Sequence, residues 1–338
     1  MGVRPAGESA GSVLAIDAGN SKTDVAVVAA DGRVVGAARG AGFQPPRVGV
    51  QRAVDGLAET VVRALAQAGL RAGVDRVAHV SACLANADLP AEERELTAAV
   101  HARGWGRTVD VRNDTFAILR AGLPAGAPPL GVAVVCGAGI NCVGLTPDGR
   151  TARFPAIGRI SGDWGGGWGL AEEALWHAAR AADGRGGPTE LARTLPAHFG
   201  LDGMAALIEA LHLGRIEAAR RHELAPVLFA TAAGGDAVAR SLVDRLADEV
   251  VAMATVALDR LDLLDAEVPV LLGGSVLAAT HAGLDSGIRS RLAARAPQAT
   301  PLIVTDRPVL GAALLGLDRV GAGGSAHARL RANYAPPA

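Results

Sequence analysis

Short apolar runs and turn signals open the chain. Val13–Asp17, Asp24–Ala29 and Arg33–Ala38 are too short for helices and predict three antiparallel strands. Their turns are Gly19–Thr23 and Asp31-Gly32, the second a hairpin dipeptide. From Val48 to Ala68 the spacing becomes helical, with Val50, Val54, Leu57, Val61 and Leu65 on one face. Val77–Ser81 predicts a short strand, Ala91–Arg103 a helix and Thr108–Arg112 another strand. Asn113-Asp114 then opens a helix through Leu119, with Asp114 near its N-terminus.

Residues 121–129, dense in Pro and Gly, predict a domain boundary, and after it the opening pattern recurs. Gly131–Cys136, Asn141–Thr146 and Thr151–Pro155 read as strands, with Pro147-Asp148-Gly149 as the second turn. Strand, glycine turn, strand, Asp-Gly turn, strand therefore occurs twice, an internal structural repeat. Helices are expected over 170–183, 189–198, 204–221 and 235–261. Val268–Leu272 reads as a buried strand ending in Gly273-Gly274-Ser275, Thr300–Thr305 as a last strand and Val309–Leu317 as a last helix. The expected division is a disordered leader (1–11), a lobe over 12–120, a lobe over 121–320 with a helical insertion, and a mobile tail (321–338). Alternating strands and helices place the chain in the α/β class.

Composition narrows the function classes. The chain has 338 residues, half apolar and a fifth charged, which suits a soluble protein of two domains. A net charge of −1 gives no electrostatic case for nucleic acid or an anionic membrane. No apolar stretch is long enough to span a bilayer, and the N-terminus lacks a signal-peptide core, so cytoplasm is the expected location. Cys83, Cys136 and Cys142 show no metal-binding spacing; they fit a reducing compartment, with Cys136 and Cys142 as buried small hydrophobes. Lys22 is the chain's only lysine and falls inside the first glycine turn.

That turn carries the first candidate chemistry. Asp17-Ala-Gly19-Asn20-Ser21-Lys22-Thr23 and Cys136-Gly137-Ala138-Gly139-Ile140-Asn141 each link two apolar strands through small residues. Where no Cβ obstructs, backbone N–H groups can approach an anion. Together the turns suggest two halves of a phosphate clamp gripping a nucleotide in an interdomain cleft. The Gly-x-Gly-x-x-Gly spacing of a dinucleotide fold is absent, and a strand rather than a helix follows the first turn.

These residues resemble the sugar kinase, actin and heat-shock ATPase superfamily, and within it the N-acetylglucosamine kinase and BadF/BadG/BcrA/BcrD ATPase family, over roughly residues 13–318. The resemblance implies a duplicated actin-like (ribonuclease H-like) fold that uses ATP and Mg²⁺ to phosphorylate a small sugar, with a homodimer possible. It implies that Asp17 helps hold Mg²⁺ and that Gly19, Asn20, Ser21, Lys22 and Thr23 contact phosphate. Gly137, Ala138 and Gly139 match the second phosphate loop, and Gly273, Gly274 and Ser275 the adenosine motif. Asn113-Asp114 matches the element whose aspartate is the general base; a carboxylate there accepts the attacking hydroxyl's proton. Asp163, in Gly162-Asp163-Trp164-Gly165-Gly166-Gly167-Trp168, matches the aspartate that binds sugar hydroxyls, and those glycines suggest a flexible loop with aromatic walls. Gln44, Asn113, Asn141 and Trp164 complete the implied sugar contacts.

Departures concentrate in the sugar half. Ala138 and Ile140 replace hydroxyl residues, Ala156-Ile157-Gly158 replaces Gly-Trp-Gly, Trp164 stands for Glu, and Gln44 for Asn. Ala85-Asn86-Ala87-Asp88 stands where the family is richer in glycine. The amino sugar itself therefore stays open. Two other readings remain: an ATPase activator of a radical dehydratase, for which the cysteines offer no cluster-bridging pair, and a non-catalytic sugar or nucleotide sensor.

Overall fold

The computed structural model describes residues 11–335. The leader assigned to residues 1–11 lies, apart from Gly11, outside them. The chain opens with β1 (Val13–Ala18), β2 (Lys22–Val28), β3 (Val34–Ala41), α1 (Pro45–Val48) and α2 (Val50–Gln67). It continues through β4 (Val77–Leu84), α3 (Pro90–Ala102), β5 (Gly106–Asn113) and α4 (Thr115–Gly122). The second series is β6 (Gly131–Cys136), β7 (Ile140–Leu145), β8 (Thr151–Arg153), α5 (Gly166–Ala182), α6 (Leu191–His198), α7 (Met204–His212), α8 (Leu224–Ala233) and α9 (Ala237–Arg260). After it come β9 (Val268–Gly273), α10 (Ser275–Ala278), α11 (Ala282–Arg295), β10 (Ala299–Ile303), α12 (Pro308–Arg319) and α13 (Gly324–Tyr334).

Two five-stranded sheets share one order. The first runs β3-β2-β1-β4-β5; the second, read from its last hairpin, runs β8-β7-β6-β9-β10. β1–β2 and β2–β3 are antiparallel, while β1–β4, β4–β5 and β9–β10 are parallel. The repeat seen in the sequence is thus a repeat of topology. The chain forms two compact units: residues 11–133, 145–155 and 304–335, and residues 134–144 and 156–303. The division does not fall in the Pro/Gly segment, because the last two helices return to the first unit.

In the first unit the strand period sorts residues onto two cores. Leu14, Ile16 and Ala18 of β1 join Val54, Leu57, Val61 and Leu65 of α2 on one face. Val13 and Ala15 join Leu310, Leu314 and Leu317 of α12 on the other. Asp17 has the parity of this second face. Two glycines let α12 settle there: a Cβ on Gly311 would lie 1.8 Å from the Ala117 carbonyl oxygen of α4, and one on Gly316 2.2 Å from a Val13 methyl.

Three expectations are corrected. The tail contains α13, which buries Ala326 and Leu330 in the α12 core, and Gly32 meets Ala326 backbone where any Cβ would collide. The helix expected over 204–221 ends at His212, before Gly214 in left-handed conformation, and α8 follows unforeseen. Pro226 sits in the first turn of α8, where the missing N–H has no intrahelical partner to lose. The loop expected around Gly165–Trp168 is instead the start of α5. Among the described residues no helix is long and apolar enough to cross a membrane.

Substitution at the α4–α12 crossing tests this packing. Gly311→Val is expected to destabilise the chain by about 3 kcal/mol or more, because neither helix backbone can yield 1.5–2 Å without exposing core. Calorimetric melting checks it; an unchanged transition contradicts the crossing.

Candidate functional site

The first unit gathers its carboxylates at the C-terminal ends of β1, β4 and β5. Asp17 is the penultimate residue of β1, paired in register with Asp24 of β2 and Cys83 of β4. Leu84 pairs with Asn113 at the end of β5, so Asp114 follows at the same edge. Asp17 is 7% exposed. Burial, then repulsion from Asp114 and Asp24, pushes its pKa up to about 8, with Lys22 and Arg307 offsetting only part. Asp114 keeps some exposed surface, yet the protein packed around it raises it to about 6, against hydrogen bonds from the Thr115 and Asp114 N–H groups. Asp24 behaves oppositely: burial would raise it, but Arg39, bound at 2.7 and 3.0 Å, and Arg307 at 3.2 Å hold it below the ordinary carboxylate range.

Helix capping does not occupy Asp114. The α4 N-terminus makes no side-chain cap through it; Asn113 Oδ1 accepts instead from the Thr115 N–H at 3.0 Å. The Asn113 amide donates to Asp88 at 2.7 Å.

The first glycine turn is braced from below. The Gly19 N–H donates to the Lys22 carbonyl at 2.9 Å, closing the turn with Lys22 exposed and Thr23 buried. The Gln44 amide donates to the Asn20 carbonyl at 2.8 Å, and Asn86, at φ 63°, donates to Asn20 Oδ1 at 3.0 Å and to the Phe43 carbonyl at 3.2 Å. A Cβ on Gly42 would sit 2.1 Å from the Asn20 carbonyl oxygen. Gln44 therefore holds the turn's outer backbone. Asp24, Arg39, Asn86, Asp88 and Arg307 belong to this region and were not singled out from sequence. Arg39 and Arg307 carried no signal, since their contact with Asp24 is long-range; Asn86 and Asp88 stood in a segment noted only as a departure.

The second unit carries the other turn. β6 leads into Gly137-Ala138-Gly139, closed by a 2.9 Å bond from the Gly137 N–H to the Gly139 carbonyl. The α5 N-terminus is bound to it: the Gly167 N–H donates to the Gly137 carbonyl at 2.7 Å and the Trp168 N–H to the Ala138 carbonyl at 3.1 Å. Cβ atoms on Gly166 and Gly274 would lie 2.4 and 2.5 Å from backbone of residues 138 and 136. Around Gly137 and Gly139 a Cβ would meet nothing within 4 Å. The first pair are glycines for packing; the second pair leave open room in front of exposed backbone. Gly273 is buried at the end of β9, and Ser275 is exposed at the start of α10.

The expected sugar residues of this unit are locally engaged. Asp163 Oδ2 accepts from the Gly158 N–H at 3.0 Å and the Ser161 hydroxyl at 2.5 Å. Asn141 Oδ1 accepts from the Cys142 N–H at 2.7 Å. Trp164 is buried under the Arg245 guanidinium, 4.2 Å from its ring centre, and donates to Glu173; it is not an exposed aromatic wall. Trp168 is the exposed indole of the pair. The three cysteines are buried and unpaired, and burial raises each thiol.

With this geometry in view, comparison with known proteins is specific. Residues 14–316 match the family model of the BadF/BadG/BcrA/BcrD ATPase family. A Dictyostelium discoideum N-acetyl-D-glucosamine kinase is 26% identical over 62% of this chain and 65% of its own. A Clostridium acetobutylicum N-acetylmuramic acid/N-acetylglucosamine kinase is 24% identical over 78% and 85%. A Chromobacterium violaceum structure, solved as a candidate N-acetylglucosamine kinase, superposes with a TM-score of 0.67 at 25% identity, covering 91% of this chain and 99% of that one. A ROK family glucokinase from Streptomyces griseus shares the fold, with a TM-score of 0.55 at 19% identity over 92% and 99%. The two mixed sheets with their helices are thus those of the actin-like sugar kinase fold, and the chain belongs to the BadF/BadG/BcrA/BcrD ATPase family.

Proposed function

We propose that this chain is an ATP-dependent kinase that phosphorylates a hydroxyl of an amino sugar such as N-acetylglucosamine, with Asp114 as general base. The observation that carries the reading is the Asp114 carboxyl itself: at a helix start it does not cap, raised to about 6, electrostatically coupled to buried Asp17. A base of that pKa is mostly ionised at neutral pH yet basic enough to take a proton in the transition state. The names of the curated relatives support the substrate class.

Asp114 orients the attacking hydroxyl and accepts its proton. Asn113, tied to Asp88 and to the Thr115 N–H, fixes the backbone from which Asp114 projects. The turn at Gly19–Lys22 and the turn at Gly137–Gly139 offer N–H groups to phosphate, and Lys22 adds a mobile cation. Beyond buried Gly273 and close-packed Gly274, exposed Ser275 at the start of α10 faces the nucleoside. Asp163 and Asn141 are the sugar contacts retained; Gln44 and Trp164 act as supports for the loops that carry them.

The donor set fits Mg²⁺ rather than a tighter metal. Asp17, buried and crowded by Asp114 and Asp24, is an oxygen donor of the kind such a cation takes beside phosphates. Asp17 would hold it; bound Mg²⁺ supplies charge neutralisation on the phosphates.

Three outcomes are expected. ATP consumption assayed against a panel of sugars should respond to one amino sugar, and Asp114→Asn should lower its kcat by about 10²–10⁴-fold. ATP hydrolysis indifferent to every sugar contradicts the assignment. Activity in the wild type should fall as pH drops through about 6, where Asp114 takes up its proton. Asp17→Asn should abolish turnover while stabilising the unliganded chain. Folded Asp17 keeps its proton up to about pH 8, whereas unfolding returns it to the ordinary value of 3.8, so ionisation favours the unfolded state across that window. At pH 7 the variant should be more stable by on the order of 1–3 kcal/mol, less than full linkage because the site relaxes. Denaturant titration checks this; a less stable variant contradicts a strained carboxyl.

A further inference from the structure

The first unit holds a cavity of about 220 Å³, largely apolar in lining but edged by charged side chains, between β4, β5, the C-terminal turn of α12 and the β7–β8 turn. Strand parity builds it. Val80, Ala82 and Leu84 of β4 and Val111 of β5 point to the α2 core, so His79, Ser81, Cys83, Asp110 and Arg112 share the α12 face. Residue 316 of α12 is Gly, and its missing side chain would come 3.2 Å from Ser81 Cβ. Past it, Arg319 closes the rim.

The lining carries two arginines, Arg112 and Arg319, and two aspartates, Asp110 and Asp318. Asp318 is spoken for by Arg120, at 2.7 and 3.1 Å, and by His327 at 3.1 Å. Asp110 lies 3.6 Å from Arg319 and 3.7 Å from His79. Among the described residues Arg112 has no carboxylate within ion-pair distance; its guanidinium lies 5.8 Å from the Phe116 ring centre. Ser81, only 4% exposed, lines the floor. Burial disfavours protonation of His79, Asp110 favours it, and Arg319 and Arg112 disfavour it, so these charges bear on the same space.

We propose that this cavity binds a phosphate dianion, gripped by the Arg112 and Arg319 guanidiniums with Ser81 donating from the floor. Guanidiniums match tetrahedral oxyanions through paired N–H donors. Asp110 accepts from the P–OH of a monoprotonated phosphate or from a hydroxyl of a phosphate ester. The volume, about seven waters at roughly 30 Å³ each, admits inorganic phosphate or a small phosphomonoester. This site is separate from the glycine turns, and its assignment does not rest on the kinase reading.

Titration calorimetry of the full chain with inorganic phosphate, without ATP or sugar, tests it. Saturable binding is expected, weakened at least tenfold in Arg319→Ala and in Arg112→Gln, while binding of Mg²⁺ with an ATP analogue is retained and shows both variants folded. Ser81→Ala should weaken phosphate binding less. Competition by glucosamine 6-phosphate identifies an ester as the occupant; binding of phosphate without such competition identifies the free ion. Either supports the site. No saturable binding, or binding unchanged in both arginine variants and therefore located at the glycine turns, overturns it.

Discussion

A carboxyl group sealed at the end of a central strand is unfavourable, and much of the first unit is arranged around that one. Asp17 shares a sheet face with Asp24 and faces the start of α4, so three acids press on one small volume. Asp24 is neutralised by two arginines, one from β3 and one from the residue before α12. Asp114 is not neutralised. Lys22 and Arg307 relieve the repulsion on Asp17 only in part, and the proposed function has a cation arrive with the substrate to supply the rest. The glycines of α12 belong to the same arrangement, since they set α12 against α4 and β1 and thereby fix where Asp114 and Arg307 project.

The second unit uses glycine for two distinct ends. Gly166 and Gly274 are close-packed against the loop after β6, so that α5 and α10 begin on its backbone. Gly137 and Gly139 are glycines with nothing beside them. Packing demands the first pair, and the proposed function gives the second pair the room in front of a phosphate.

How much of this could be read from the chain follows from the range of each interaction. The first three strands and the repeat were legible because period-two runs and Asp-Gly turns are local signals, and Asp17 and Asp114 were singled out through the family resemblance of the segments around them. Arg39 and Arg307 were not legible: their roles exist only through Asp24, and Arg307 meets it across 283 positions. α8, with a proline in its first turn, was assigned to no element. Trp164 and Trp168 flank three glycines alike in sequence, and only the helix start at Gly166 decides that Trp164 turns in and Trp168 out. The tail was misread because Ala326 and Leu330 are too few to give a periodic stripe, yet enough to dock.

The most direct measurement is the proton balance of nucleotide binding. Calorimetry of Mg²⁺ with a non-hydrolysable ATP analogue at pH 7, in buffers of differing ionisation heat, counts protons released. With Asp17 protonated in the unliganded chain and ionised against the cation, about one proton should leave the wild type and none the Asp17→Asn variant. Tight binding with no proton released from the wild type would contradict a buried, protonated Asp17 waiting for a cation.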